Sequence, residues 1–324
     1  MNLITIHKKY GTQAKCLSYL EKLRWGKTVR CTKCHSDNTV RIKTQAGRHH
    51  CNNCKTTFSV LVDTIFENTR LELPQWFIII GLMLNAKKGI AAKQIQRDTG
   101  VTYKTAWYTA MRIRCGMIDN CKVLQNIVEM DEAYVGGKPR KKPPISANIP
   151  SISNVANKRG RGTRKTPVVG IVERDGDIVL KVIEKLTFRN LFAMLKKNVK
   201  TDNAILITDE YTGYKRMDNE IEHLVINHKK EYSRGAINTN TIEGFWAIVK
   251  NSIRGQYIAL SKKYLPFYLV QAAYIYNLRN DKGNLFEQFL INAVMHDNQM
   301  EHYKPIKNVK DIVYKKCVNL KKTI

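Results

Sequence analysis

The spacing of apolar residues changes character along the chain. Trp76–Leu84 (Trp-Phe-Ile-Ile-Ile-Gly-Leu-Met-Leu) is apolar throughout and has Pro74 near its start, which predicts a buried helix with proline in the first turn. Ile90–Asp98 and Tyr103–Arg114 have helical spacing. Thr99-Gly100-Val101 breaks them, because Gly100 can take a positive φ, and Thr102 can cap the second helix. From residue 127 the pattern becomes that of strands, at Ile127–Val135, Pro167–Val172 and Ile178–Ile183, with turn signals at Gly136-Gly137 and Asp175-Gly176-Asp177. A helix is predicted at Phe188–Lys197, strands at Ala204–Asp209 and Glu222–Ile226, and helices from about Asn240. Together these make a mixed α/β layer of five strands.

Composition turns this pattern toward a class of partner. The 324 residues hold 55 Lys and Arg against 27 Asp and Glu, a net charge of +28. That excess implies a polyanion, nucleic acid first of all, bound in a salt-dependent way. A lysine-rich genomic composition is the plainer source of part of it. The length suggests two or three domains. Neither the N-terminus nor the Trp76–Leu84 run is long and apolar enough for a signal peptide or a bilayer span, so the chain is expected to be intracellular with no membrane partner.

Cys31-Thr-Lys-Cys34 and Cys51-Asn-Asn-Cys54 are two knuckles with sixteen residues between them, the spacing of a closed four-thiolate structural zinc site. Cys16, Cys115, Cys121 and Cys317 show no paired spacing, which fits a reducing compartment. His35, His49 and His50 read as exposed loop residues, because four sulfurs already suffice. Lys33, Arg41, Lys43, Arg48 and Lys55 make the ribbon basic, either to touch DNA backbone or simply as solvated charge. The helix-turn-helix pattern would place its second helix in a major groove, with Tyr103, Lys104, Thr105, Tyr108 and Arg112 as candidate contacts. Trp107, Ala110 and Met111 are expected to pack inward. A helical hairpin that binds nothing is the alternative.

Three carboxylates carry the candidate chemistry: Asp131 and Asp209, each at the end of an apolar run, and Glu243 at the start of a helical pattern. Two strand-end aspartates and a helix glutamate can converge on a pair of hard divalent cations acting on a phosphodiester. Neighbours on a strand point to opposite faces, so Asp131-Glu132 and Asp209-Glu210 offer one site carboxylate each. Asn240-x-x-Glu243 also reads as a capping box. Against that, Glu243, Trp246 and Lys250 share a helical face, and Lys250 could hold a phosphate or be a solvated lysine. Gly244 is costly inside a helix and would permit close approach of the sheet or of DNA. Residues 138–166 carry nine basic side chains and no acid, among them Arg140, Lys141, Lys142, Arg159, Arg161 and Arg164. They read as a basic loop that tracks a phosphate backbone, or as a solvated linker.

Further motifs link these parts: Cys16-Leu-Ser-Tyr-Leu, Arg24-Trp25, Phe58-Ser-Val, Thr64-Ile-Phe, Leu73-Pro-Gln-Trp-Phe77 and Lys104-Thr-Ala-Trp107. Asp131-Glu-Ala-Tyr-Val-Gly-Gly137, Asp209-Glu-Tyr-Thr-Gly-Tyr214, Asn240-Thr-Ile-Glu-Gly-Phe-Trp246 and Tyr276-Asn-Leu-Arg-Asn280 follow. In this order, over roughly residues 12–281, the chain resembles the Merlin-type DDE transposases and the related ISXO-like insertion-sequence transposases with an N-terminal zinc ribbon.

The resemblance implies an RNase H-like catalytic domain preceded by a zinc ribbon and a helix-turn-helix domain, with Asp131, Asp209 and Glu243 as the DDE triad. It also implies Mg²⁺ or Mn²⁺ as catalytic cofactor beside structural Zn²⁺, and double-stranded DNA with terminal inverted repeats as substrate. Joining two ends implies a homo-oligomer. The compartment would be a bacterial cytoplasm or a eukaryotic nucleus. Family members often carry histidine near the position of Asn238, which puts a proton-transfer role there in doubt. The expected division is 1–67 ribbon, 68–122 helix-turn-helix, 123–281 catalytic domain and 282–324 a basic surface appendage. Two other functions fit the pattern: a domesticated or inactive DNA-binding regulator, and a host RNase H-like nuclease or junction resolvase.

Overall fold

The computed structural model describes residues 1–118, 123–136, 163, 165–226, 237–281 and 283–295. The chain divides into two compact units, Met1–Asn120 with Phe267–Ile324, and Cys121–Pro266.

In the first unit, helices α1 (Leu3–Tyr10) and α2 (Gln13–Trp25) begin at Asn2 and Thr12, whose side-chain oxygens accept from Thr5 N and Lys15 N. Strands β1 (Thr39–Arg41), β2 (Arg48–Cys51) and β3 (Thr57–Ser59) form the antiparallel ribbon. The apolar run becomes α3 (Leu73–Asn85), with proline in its first turn and Trp76, Phe77, Ile80 and Met83 buried. Helix α4 (Ala92–Thr99) stops at Gly100, which takes φ +72°. Helix α5 (Tyr103–Gly116) starts at Thr102, whose Oγ1 accepts from Thr105 N at 3.2 Å. The turn and cap fall where the sequence pattern puts them.

Helices α8 (Leu265–Asn277) and α9 (Leu285–Met295) complete this unit. Phe286, Phe289, Leu290, Ala293 and Val294 of α9 are buried in the same core as Ile6, Leu20, Phe66, Trp76, Ile95 and Ile113. Two expectations are thereby corrected. Helix α9 is part of this core and not a surface appendage, and the core runs across the expected boundary between 67 and 68.

The second unit is a sheet of β4 (Leu124–Val135), β5 (Thr166–Glu173), β6 (Ile178–Val182), β7 (Val199–Asp209) and β8 (Glu222–Ile226) in the order β6-β5-β4-β7-β8. Strands β4, β5 and β6 pair antiparallel, while β7 and β8 continue parallel to β4. Three meandering strands followed by two parallel ones, with the first strand central, make an RNase H-like layer. Helix α6 (Phe188–Asn198) covers one face: its Leu191, Met194 and Leu195 pack with Val128, Met130, Val169 and Ile171. Helix α7 (Asn240–Ser252) covers the other face through Ile242 and Trp246, which lie over Gly170 of β5. No helix of the described residues is long and apolar enough to cross a membrane.

Candidate active site

Parallel pairing sets the aspartates side by side. Glu129 of β4 is in register with Ile207 of β7, so two residues further along, Asp131 comes next to Asp209. Asp209 is the last residue of β7, whereas Asp131 lies inside β4, which continues to Val135, and is not the strand-end aspartate expected. Strand alternation sorts the acids as expected. Val128 and Met130 face the α6 core, and Glu132 follows them, its Oε2 accepting from the buried Tyr214 Oη at 2.9 Å. Glu129 and Asp131 face α7. Burial first, then the negative charge of Glu132 and of Asp209 and Glu243, pushes the Asp131 carboxyl up to about 7, while a backbone hydrogen bond at Glu132 opposes the shift. Asp209 Oδ1 accepts from Tyr211 N at 3.1 Å.

Helix α7 brings the third acid. Its N-cap is Thr239, not Asn240, and Glu243 Oε1 accepts from Thr239 Oγ1 at 3.0 Å. The capping-box geometry therefore does not form as the sequence suggested, although Glu243 still reaches back to the residue before the helix. Asp131, Glu243, Trp246, Ala247, Lys250, Asn251 and Arg254 line an open cleft of about 420 Å³. Lys250 thus shares the cleft with two of the acids. Asn251 and Arg254 were missed in the sequence, though Arg254 continues the face of Glu243, Trp246 and Lys250 and so was legible there.

Two glycines near the site behave differently. A Cβ at Gly170, which pairs with Asp131 across β4 and β5, would lie 3.0 Å from Trp246, 3.1 Å from Leu180 and 3.2 Å from Ile242. The missing side chain lets α7 sit down next to Asp131. A Cβ on Gly244 would meet nothing within 4 Å, so close approach of the sheet does not explain that glycine.

In the first unit the sulfurs of Cys31, Cys34, Cys51 and Cys54 all lie within 4.8 Å of one another, with Cys31–Cys54 and Cys34–Cys51 at 3.5 Å. Zn–S bonds of about 2.3 Å in a tetrahedron need sulfurs roughly 3.8 Å apart, so the four thiols fit a structural zinc ion. The histidines are not part of this cluster. His35 is exposed, but His49 is buried on β2 with its ring 3.1 Å from Glu21 Oε1, and His50 lies on the same strand, half-buried. The expectation of exposed loop histidines is corrected for these two. Lys33, Arg41, Lys43, Arg48 and Lys55 are all exposed.

On α5, Tyr103 is 47% exposed and Tyr108 38%; Lys104 is exposed and Thr105 half-buried. Arg112 is a correction. It is 3% exposed, its Nη2 donates to the Glu67 carbonyl at 2.6 Å, and its guanidinium lies against the Trp76 and Tyr108 rings. It is a core strut, not a groove contact. Ala110 and Met111 are buried as expected, whereas Trp107 is half-buried. Arg140, Lys141, Lys142, Arg159, Arg161 and Arg164 lie outside the described residues.

An RNase H-like sheet carrying neighbouring aspartates and a helix glutamate, in a chain that also carries a four-cysteine ribbon, defines the class of zinc-ribbon proteins with an RNase H-like domain. Family comparison narrows the class. Residues 123–277 match the ISXO2-like transposase domain, and residues 11–57 match the transposase zinc-ribbon domain. The chain belongs to this family of insertion-sequence transposases. A relative from Halobacterium salinarum, an uncharacterized protein in transposable element ISH50, is 24% identical over 253 residues, 75% of this chain and 84% of that one. Among solved structures, the Mos1 strand transfer complex aligns at 12% identity over 72% of this chain and 78% of that chain, with a TM-score of 0.27. The Mos1 mariner paired end complex with Mn aligns at 12% identity over 95% and 97%, with a TM-score of 0.28. Strand order, and not these slight likenesses, defines the fold.

Proposed function

We propose that the protein binds the terminal inverted repeats of its own element, cleaves DNA there and transfers the freed 3′ end to a target, using Asp131, Asp209 and Glu243 as metal ligands. The observation that carries this reading is the register that sets Asp131 beside Asp209, with Glu243 in the same cleft as Asp131. The Asp131 carboxyl, pushed up to about 7 by burial first and by the neighbouring acids after it, would gain a counter-charge from a hard cation with oxygen ligands. Mg²⁺ or Mn²⁺, as a pair, would lower the pKa of a water and stabilise the leaving oxygen of the phosphodiester.

The chain's own groups do the rest. Asp131 and Asp209, fixed on adjacent strands, hold one edge of the site, and Glu243 on α7 holds the other. Lys250 and Arg254 present positive charge to the DNA strand entering the cleft, Lys250 as a point charge and Arg254 as a planar fork. Cys31, Cys34, Cys51 and Cys54 hold zinc and so fold the ribbon. The exposed Tyr103, Lys104 and Tyr108, with the half-buried Thr105, are the α5 groups offered to base edges and phosphates. Double-stranded DNA is then the partner, two chains or more bring two ends together, and the protein works wherever the cell keeps its DNA.

The test is cleavage of the gene's own flanking DNA with Mn²⁺, comparing wild type with Asp209→Asn. We expect cuts at the element ends with wild type, and about a 10²–10³-fold loss in the variant, the range for removing electrostatic stabilisation of a transition state, with DNA binding retained. A fully active variant removes Asp209 from the site. Binding without cleavage by either protein favours the regulator reading instead.

A further inference from the structure

We propose that Glu129, acting with Arg174, is the positioning residue that sets Glu243 against Asp131. The inference rests on the metal-site reading above and adds to it a residue that touches no metal or DNA.

Glu129 is completely buried on β4, on the same face as Asp131 two residues later. Its Oε2 accepts the backbone N–H of Ile242 at 3.0 Å, the residue immediately before Glu243. The first N–H groups of a helix need acceptors from outside the helix, and Thr239, the N-cap of α7, makes no side-chain cap bond. Asn238 Oδ1 accepts from Asn240 N at 3.2 Å, and the sheet, through Glu129, supplies the acceptor for Ile242 N. The second oxygen, Oε1, accepts from Arg174 Nε at 2.8 Å. Arg174 Nη2 in turn donates to the Asn238 carbonyl at 2.8 Å and to Asn238 Oδ1 at 3.3 Å, while Arg174 N donates to Ile127 O at 3.0 Å. One carboxylate and one guanidinium thus tie the start of α7 to the strand that carries Asp131. Asn238 serves as part of this tie.

A buried ion pair is a poor stabiliser, because desolvation cancels much of its attraction and an apolar replacement is often as stable. As a positioning device it is effective, because its geometry is directional. Catalytic constellations need their groups held within about 0.5 Å, and Glu129 fixes two of the three acids to one strand.

The experiment uses the full-length protein and the variants Glu129→Gln, Arg174→Gln, Arg174→Lys and Asp209→Asn. Mn²⁺ binding is titrated by electron paramagnetic resonance, cleavage is assayed on flanking DNA, and folding is checked by circular dichroism and melting. We expect folded E129Q and R174Q to bind Mn²⁺ about 10-fold more weakly or worse, in the range for disturbing the support of a metal site. Their cleavage should fall while DNA binding stays at the wild-type level, and R174K should recover part of the loss. Folded E129Q that binds Mn²⁺ and cleaves like wild type overturns the proposal. Should E129Q not fold, R174Q, whose side chain is 21% exposed, decides by the same criterion. D209N separates the two levels. If D209N weakens Mn²⁺ binding and neither brace variant does, the brace alone fails. If D209N does not weaken it, the metal-site reading fails and this inference goes with it.

Discussion

Asp131 departs from the ordinary behaviour of a carboxyl, and the departure has a sign that can be tested. Its carboxyl titrates at about 7 in the folded protein, against an ordinary value of 3.8. Between these values the folded state keeps a proton that the unfolded chain has released, so raising pH from about 4 to about 7 destabilises the metal-free protein. A divalent cation can take the proton's place, so metal binding should tighten over the same interval. Melting curves without added Mg²⁺ or Mn²⁺ should therefore show the wild type losing stability relative to Asp131→Asn as pH rises through this window. Parallel curves would show that Asp131 is not a proton-holding acid. Asp209 and Glu243 sit where an element ends or starts, which apolar spacing shows; Asp131 lies inside β4 and was picked out from Glu132 by the family resemblance. Arg112 and Glu129 were not legible. What fixes Arg112 is the Glu67 carbonyl and the Trp76 ring, and what fixes Glu129 is Ile242 N and Arg174. All of these partners are remote in sequence, so neither the basic residue nor the buried acid carries a local signal.

Elements were easier to read than partners, because strand alternation and helix periodicity are local. The strand at Glu222–Ile226 agrees with its expected bounds, and the helices at 188 and 240 begin where expected. Strands β4 and β7 run further toward their N-termini than expected, since Leu124 and Val199 extend the ladder through an irregular register that apolar spacing does not show. Helix α9 differs again. Phe286, Phe289, Leu290, Ala293 and Val294 recur at helical spacing and so were legible, but they lie past the last family motif, which ends near 281. Phe289 is fully buried, and its ring would come within 3.0 Å of a Cβ on Gly116 of α5. Phe289→Ala should cost about 3–5 kcal/mol, read as a lower urea midpoint for the unit that contains the ribbon. A surface appendage would tolerate the change with a shift under about 0.5 kcal/mol.

At the scale of the whole molecule, the proposed function assigns two metal chemistries to two compact units. Thiolates on the first suit zinc, and carboxylate oxygens on the second would suit Mg²⁺ or Mn²⁺. Losing one metal need not empty the other site, and a single substitution can separate them. Cys51 lies at the end of β2, fully buried, with its N–H bonded to Thr56 O. Cys51→Ser removes a thiolate and leaves the acids untouched. Metal analysis should give one zinc per chain in the wild type and a loss of zinc in the variant, while the Mn²⁺ titration stays at the wild-type value. Flanking DNA should bind more weakly, because an unfolded ribbon no longer presents Lys33, Arg41, Lys43, Arg48 and Lys55 as one surface. In a chain of net charge +28, wild-type affinity should fall steeply with salt, and the log–log slope should become shallower by about 0.9 for each phosphate that the ribbon no longer neutralises. A lower affinity with an unchanged slope would mean that the ribbon acts without touching phosphates. Unchanged zinc content together with unchanged affinity would remove the ribbon from DNA recognition and leave that work to α5 and the catalytic unit.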